Sequence, residues 1–351
     1  MNKIKLTWPQ LQPYAKIAAG IAVLLGSGAL VVKLLSPSGE QVSAQQFVNL
    51  QQGAATHAGF RRAHAKGFCI AGSFQNYGSL APFSSAQIWQ QPETSFIGRI
   101  SIAGNNPTAP DLKAPVRSLA LSFGDDSNQT WRLAMNTPPV MAVATPAAFY
   151  QQLQTLAPDP ATGQPNRERI QAFFAAHPET AAFTEWRANY QPSASFATEL
   201  YHSINAFYLV DNSARQQAVR WTMVPTSTPS FELPTTTDPD ALQKEFSERL
   251  ALGPVLFDWV FTLANAEDDE NDPTQPWPAD REQIVAGQIS IERMTAQVDG
   301  ACNAINFDPL VLPAGLAATA DPILRARSSA YAESYKRRAQ EHAFGQAGAN
   351  Q

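Results

Sequence analysis

Residues 95–135 read SFIGRISIAGNNPTAPDLKAPVRSLALSFGDDSNQTWRLAM, and this stretch decides the fold. It contains three short, largely apolar runs, at 95–102, 118–123 and 130–135. Clusters of Gly, Asn, Asp and Pro, which favour turns, separate the runs. Short strands divided by turn residues are typical of an antiparallel sheet or barrel.

Further runs on both sides extend this sheet. We predict a strand at 67–71, a hairpin formed by 206–210 and 218–224, and a later strand at 255–264. Helical patterns are predicted at 44–58, 146–156, 166–175, 178–190 and from Asp238 to about residue 252. The combination indicates an α+β domain in which helices surround a closed antiparallel barrel.

The composition limits the classes of partner. The chain has 351 residues, 44% of them hydrophobic, which is enough to bury a substantial core. Its net charge is −5, and no cluster of Lys or Arg is interleaved with aromatic residues. We therefore expect no nucleic acid partner.

The first 40 residues differ in character from the rest. An apolar run at 17–32 follows three lysines, and a Pro- and Gly-containing linker at 36–40 comes after it. We interpret 1–40 as a membrane anchor with a linker, 41–345 as one folded domain and 346–351 as a tail, with cleavage of an export signal as the alternative. The lysines place the N-terminus in the cytoplasm and the domain on the other side of the inner membrane, in the periplasm.

Cys69 and Cys302 are the only cysteines of the chain. Cys69 falls in an apolar strand and Cys302 in a predicted helix, so the sequence gives no reason to place them together. We predict two buried free thiols, with a single disulfide bridge as the alternative.

The last predicted helix carries a tyrosine between two arginines. It begins after Asp321 as N-cap, and Arg327, Tyr331 and Arg338 share one face because they are spaced by four and seven residues. Arg327 would favour the phenolate of Tyr331, an anionic oxygen that stabilises ferric iron, and Arg338 lies about 10 Å further along the axis, near the span from a haem iron to its propionates. The alternative is a surface helix that merely carries arginines.

His64 supplies the second half of a haem site. A neutral imidazole can take a proton from one oxygen of a peroxide and return it to the other. The Asn136 amide could hold the peroxide, and the Ser101 hydroxyl could fix the imidazole tautomer. A histidine that only satisfies the core is the alternative interpretation of His64.

Two further arginines suit haem propionates. Arg99 and Ser101 are two apart in a predicted strand and therefore point to the same face. Arg61 would face away from His64 in an ideal strand, so either a bulge turns it inward or Arg62 takes the propionate role.

These residues are the ones through which the chain resembles the haem catalase superfamily. The matching segments, in chain order, are His64-Ala65-Lys66-Gly67, Arg99-Ile100-Ser101, 116–123, Asn136-Thr137-Pro138, 206–210, 219–221, 272–278, 307–315 and Arg327-x-x-x-Tyr331 with Arg338. The resemblance implies an eight-stranded barrel, haem b, His64 and Asn136 on the distal side and Tyr331 as the axial iron ligand. It also implies propionate contacts from the arginines and an acidic substrate-channel residue at Asp111.

The departures from the superfamily pattern point to one branch of it. The sequence ends soon after the proposed proximal helix, and Asn205 stands where family members usually carry a histidine. In both features the chain resembles the minimal branch of the superfamily, the catalase-related peroxidases. We therefore expect a haem peroxidase that reduces organic hydroperoxides, hydrogen peroxide or both through a ferryl intermediate, with an external electron donor and some catalase activity.

Two alternatives remain open. One is an exported barrel that binds haem or another ligand without turnover. The other is a hydroperoxide isomerase that uses the same haem barrel. The sequence does not decide the oligomeric state.

Overall fold

A closed ring of eight antiparallel strands forms the centre of the computed structural model, which describes residues 42–124, 128–159 and 161–345. The proposed anchor and linker at 1–40 and the tail at 346–351 lie outside the described residues, and the domain boundaries stay predictions. Within the described ranges, no helix has both the length and the apolar character needed to span a bilayer.

The ring runs in the order β1-β2-β3-β4-β5-β7-β8-β9 and closes where β9 pairs with β1. Two more strands, β6 and β10, extend from β7. The strand bounds are β1 Gly67–Asn76, β2 Glu93–Ile102, β3 Arg117–Phe123, β4 Trp131–Asn136, β5 Tyr201–His202, β6 Phe207–Val210, β7 Gln216–Pro225, β8 Val255–Leu263, β9 Gln283–Ala296 and β10 Leu316–Ala318. The predicted closed barrel is therefore confirmed.

Six α-helices surround the barrel in the described part of the chain. Their bounds are α1 Ala44–Gln52, α2 Pro146–Leu156, α3 Arg167–Ala176, α4 Ala181–Asn189, α5 Ala241–Leu252 and α6 Pro322–Ala343. The first helix ends earlier than predicted, at Gly53, whose φ of 64° is in the left-handed region that terminates helices. The N-cap of α6 is confirmed, because the Asp321 side chain accepts hydrogen bonds from the Ile323 and Leu324 amides.

Aromatic side chains fill the inside of the barrel. The central ring is Trp259, which lies 5.1 Å from Trp131 and 5.1 Å from Phe74, measured between ring centroids. Trp89, Trp221 and Phe261 pack around the same rings. Because these rings occupy the interior, the barrel is a packed core and a ligand has to bind elsewhere.

The outer face of β2, β3 and β4 carries two rows of side chains. Strand pairing aligns Ser101 with Ser118 and Ser118 with Asn136, and it aligns Arg99 with Ala120 and Ala120 with Ala134. Neighbours in such a row point to the same side of the sheet. The first row is polar. In the second row, the small side chains of Ala120 and Ala134 leave room above the sheet.

The cysteine prediction was wrong, because Cys69 and Cys302 form a disulfide. It connects β1 with a short 3-10 helix, Ala301–Ala304. The two cysteines are 233 residues apart in sequence, and strand pairing of β9 with β1 brings the end of β9, just before the 3-10 helix, next to Cys69.

Candidate active site

The candidate site is a cavity between the outer face of the barrel and helix α6. It contains about 1230 Å³ of empty space, counting the space at its mouth. The barrel side contributes residues of both rows, and α6 contributes Arg327, Tyr331 and Arg338. No Asp or Glu is among the described residues that line it, so its charged groups are all cationic.

His64, Ser118 and Asn136 form a hydrogen-bonded group at this cavity. The Ser118 hydroxyl donates to Oδ1 of Asn136 and lies 3.2 Å from Nδ1 of His64. His64 adopts φ 56° in the loop before β1, a conformation that is uncommon for a residue with a side chain. This loop conformation brings the imidazole over the polar row of the barrel.

The environment of His64 keeps its imidazole neutral. Burial lowers the pKa of His64 to about 3, and the neighbouring guanidinium groups of Arg99, Arg327 and Arg61 lower this pKa in the same direction. The part of the side chain that remains exposed lines the cavity. The residue therefore meets the first requirement of a proton shuttle, which is an unprotonated ring nitrogen at neutral pH.

Four arginines line the cavity, and three of them, Arg61, Arg99 and Arg338, have lowered pKa values. Burial lowers the pKa of Arg61 and that of Arg338, and it lowers the pKa of Arg99 to about 9. Coulombic repulsion from Arg99 and Arg338 adds to the effect on Arg61. Within the described residues, Nη1 of Arg61 and Nε of Arg338 are buried without a hydrogen-bond partner. Buried cations with unused donors indicate a site for an anion.

The loop before β1 decides which arginine faces the cavity. Arg61 lines it and lies in the loop rather than in a strand, so no bulge is involved. Arg62 points to α6, where it forms an ion pair with Glu341. Arg99 supports the loop by donating to the carbonyl oxygen atoms of His64, at 2.9 Å, and Ala65, at 3.2 Å.

Tyr331 is the phenol of the site. Its ring packs against the cluster of Cys69, Cys302 and Phe307. Its hydroxyl makes no hydrogen bond to any described side chain or backbone group, although the residue lines the cavity. The oxygen is therefore free to bind a group placed in the cavity.

A buried chain of polar groups holds Arg327 beside this tyrosine. The Asn205 amide donates to Asp321 and accepts from Nη1 of Arg327, while Nη2 of Arg327 donates to the carbonyl oxygen of Ala134 at 2.8 Å. Arg327 makes no hydrogen bond to Tyr331 among the described residues. Its influence on the phenol is therefore through space, across one helical turn.

All eight residues proposed from the sequence, His64, Asn136, Tyr331, Arg61, Arg99, Ser101, Arg327 and Arg338, line the same cavity. Two details were wrong. Ser118, and not Ser101, contacts the imidazole, because Ser118 lies between Ser101 and Asn136 in the polar row. Asp111 does not line the cavity; it is buried in an ion pair with Lys66 at 3.2 Å.

Ser118 and Gln297 are the important residues that sequence reasoning missed. Ser118 had a signal, because Ser118, Ala120 and Ser122 alternate with Leu119, Leu121 and Phe123 and so mark the outer face of β3. Gln297 accepts from Nε of Arg99 at 3.0 Å. It lies just beyond a strand that the sequence analysis did not predict, so nothing pointed to it.

The donor set fits a haem. A phenol oxygen without a partner suits ferric iron, and buried guanidinium groups with unused donors suit the two carboxylates of the macrocycle. Ala120 and Ala134 present small side chains where a flat ring would lie against the barrel.

Comparison with known proteins decides the family. The sequence profile of the catalase family matches residues 55–351, which is most of the chain. The chain belongs to the catalase family.

Two relatives are similar to this catalase-family chain in sequence, and one solved structure is similar to it in fold. It is 32% identical over 343 residues to a catalase-related peroxidase of Synechococcus elongatus, covering 96% of this chain and 99% of that protein. A catalase-related peroxidase of Mycolicibacterium paratuberculosis is 27% identical and covers 80% of this chain and 89% of its own length. Catalase A of Saccharomyces cerevisiae superposes with a TM-score of 0.72 at 17% identity, over 83% of this chain and 64% of the yeast chain, which supports the fold.

Proposed function

We propose that this member of the catalase family, an oxidoreductase that acts on peroxide, is a haem peroxidase that takes electrons from an external donor. The observation that carries the proposal is the composition of one cavity. It combines a neutral imidazole and an amide from the barrel side with a free phenol from α6 and four arginines that have no carboxylate partner among the described lining residues.

Haem bound in this cavity would be held by Tyr331 through its phenol oxygen and by Arg61, Arg99 and Arg338 at its carboxylates, and it would supply the iron at which the peroxide is reduced. The remaining chemistry belongs to the protein. His64 takes the proton from one peroxide oxygen and returns it to the other, which leaves as water or an alcohol. Asn136 holds the peroxide through Nδ2, since its Oδ1 accepts from Ser118.

The apolar part of the lining supports organic hydroperoxides as substrates beside hydrogen peroxide. Phe47 of α1 and Phe149 of α2 contact each other with 5.9 Å between ring centroids, and both line the cavity with Met141 and Ile204. Burial of the carbon chain of a hydroperoxide against this wall would stabilise its complex by about 0.8 kcal/mol per buried CH₂. Hydrogen peroxide offers no such surface.

We place the domain in the periplasm, either anchored in the inner membrane or exported. The apolar run at 17–32 after three lysines supports this location, and the Cys69–Cys302 disulfide supports an oxidising compartment.

The function is tested with His64→Ala and Asn136→Ala in protein reconstituted with haem. We expect peroxide consumption to fall by about 100-fold or more in His64→Ala, since general acid-base catalysis contributes about 10²–10⁴-fold. The absorption spectrum should stay close to that of the wild type. Arg293→Ala, an exposed change on β9, is the matched control and should keep full activity.

Two results would contradict the proposal. Equal peroxide consumption in the wild type and both variants would favour a haem-binding protein without turnover. Conversion of fatty-acid hydroperoxides into isomers without consumption of a reductant would favour the isomerase.

A further inference from the structure

A short surface segment, residues 297–305, holds the arginines of the cavity. We call it the 297–305 segment. Gln297 accepts from Nε of Arg99, the carbonyl oxygens of Cys302 and Ile305 accept from Nη2 of Arg61, and the carbonyl oxygen of Asn303 accepts from Nη1 of Arg338. The distances lie between 2.7 and 3.1 Å. Every arginine assigned to a haem carboxylate therefore donates to this one segment, and Arg99 donates to the carbonyl oxygens of His64 and Ala65 as well.

Besides these hydrogen bonds, the segment packs on the barrel through Cys302 and Ile305, which share an apolar cluster with Ile97 and Ala120. It follows the end of β9 at Ala296, and three of its backbone hydrogen bonds close within it. Several of its side chains are exposed, whereas Gln297, Gly300 and Cys302 are buried. The ladder of β9 thus ends just before the residues that hold the arginines.

The Cys69–Cys302 disulfide is the covalent attachment of the segment. Cys69 lies in β1 and Cys302 is fully buried, so the bond joins the middle of the segment to the barrel wall. Gly300 lies so close that a Cβ atom built on it would be 2.3 Å from Sγ of Cys69. The same sulfur pair packs with Phe307 and Tyr331, so it borders the haem-facing wall as well.

We propose that this disulfide is a covalent clip: it holds the 297–305 segment, and through it Arg61, Arg99 and Arg338, in the position that retains haem. The inference rests on the proposed function. It makes Cys69, Cys302 and Gln297 positioning residues, since none of them touches the peroxide.

Reduction of the disulfide opens the clip by thiol–disulfide exchange. A dithiol reductant supplies two electrons and two protons, the sulfur–sulfur bond breaks, two thiols form, and the reductant leaves as its own disulfide. Without the bond, the 297–305 segment keeps its packing and its hydrogen bonds but loses its covalent link to β1. Arg61 and Arg338 then lose fixed carbonyl partners, and Arg99 loses a fixed Gln297 side chain, so that binding an anionic ligand costs these arginines more conformational entropy.

The clip is tested by the rate at which haem leaves the protein, measured by transfer to excess apomyoglobin. We compare the oxidised wild type with the double variant Cys69→Ala/Cys302→Ala and with Gln297→Leu. Haem should leave both variants about tenfold faster or more, which is the factor expected when one charge-assisted hydrogen bond is lost. Reduction of the wild type by dithiothreitol should give the same increase, and reoxidation should reverse it.

Leu242→Ala is the matched control for stability. Leu242 is fully buried in α5 and does not line the cavity, so its truncation destabilises the domain without touching the 297–305 segment. Haem should leave this variant at the wild-type rate. A second measurement uses the protein without haem: amide hydrogen exchange should increase at 297–305 in the double variant and stay unchanged there in Leu242→Ala.

The inference is overturned if the native protein has free thiols, if the double variant releases haem as slowly as the wild type, or if Leu242→Ala releases it as fast as the double variant. If the oxidised wild type retains no haem, both the proposed function and the clip fall. If the oxidised wild type retains haem but the double cysteine variant releases it at the same rate, the proposed function stands and the clip is wrong.

Discussion

Ser118 Oγ lies 3.2 Å from Nδ1 of His64, and the same hydroxyl donates its proton to Oδ1 of Asn136. A hydroxyl has one proton, so Ser118 can only accept from His64, which then carries its proton on Nδ1. The Nε2 atom is left without a proton. This is the tautomer that can take a proton from a peroxide.

Substitution of Ser118 by alanine should lower peroxide consumption by about tenfold, because the imidazole loses the partner that fixes its tautomer and its orientation. The absorption spectrum of bound haem should not change. Ser122→Ala, on the same strand and the same face but away from the cavity, is the control and should have wild-type activity. Equal rates for the two variants would remove Ser118 from the catalytic arrangement.

The protein should lose stability in acid through two histidines. Burial lowers the pKa of His64 to about 3 and that of His202 to about 4, from the ordinary 6.5. Between the folded pKa of each histidine and the ordinary value of 6.5, the unfolded chain binds more protons than the folded one. The free energy of unfolding therefore falls as the pH drops from about 6.5 towards 4, by at most about 1.4 kcal/mol per pH unit for each histidine.

Urea unfolding of the haem-free protein at a series of pH values measures this loss. His64→Gln and His202→Gln should each flatten the pH dependence. His342→Gln changes an exposed residue of α6 and should leave it as in the wild type. A pH dependence that survives in both buried variants would mean that other groups cause it.

Asn205 should be important for stability although it is neutral. It is fully buried, and it joins the buried Asp321 to Arg327. Asn205→Ala leaves Asp321 without this donor and should lower the free energy of unfolding by about 1–3 kcal/mol. Asn189→Ala removes an exposed amide that donates to the carbonyl oxygen of Glu185, and it should change stability by less than about 0.5 kcal/mol. Similar losses in the two variants would contradict this account.

Much of the barrel could be predicted because its strands alternate regularly. β9 could not, for a physical reason: β9 has two register shifts, opposite Trp259 and opposite Ala71, so its apolar residues do not keep a period of two. The disulfide was missed for a related reason, since Cys302 follows this unpredicted strand and is brought to Cys69 only by its pairing with β1.

The candidate site was predicted well where spacing on one element decides which way a residue points. Tyr331 and its two arginines share a helix face, and Arg99 and Ser101 share a strand face. The partner of His64 was not predictable in this way. It depends on the path of the loop before β1 and on the register of β2 with β3, and neither can be read from a single strand.

We propose that Tyr331 binds haem iron in the cavity that it lines together with His64. The most direct measurement is the absorption spectrum of ferric haem in the wild type, in Tyr331→Phe and in Tyr335→Phe, a tyrosine one turn further along α6 that also lines the cavity and is 38% exposed. We predict a high-spin spectrum of tyrosinate-ligated iron in the wild type and in Tyr335→Phe, and its loss in Tyr331→Phe. The same spectrum in all three proteins would contradict the account.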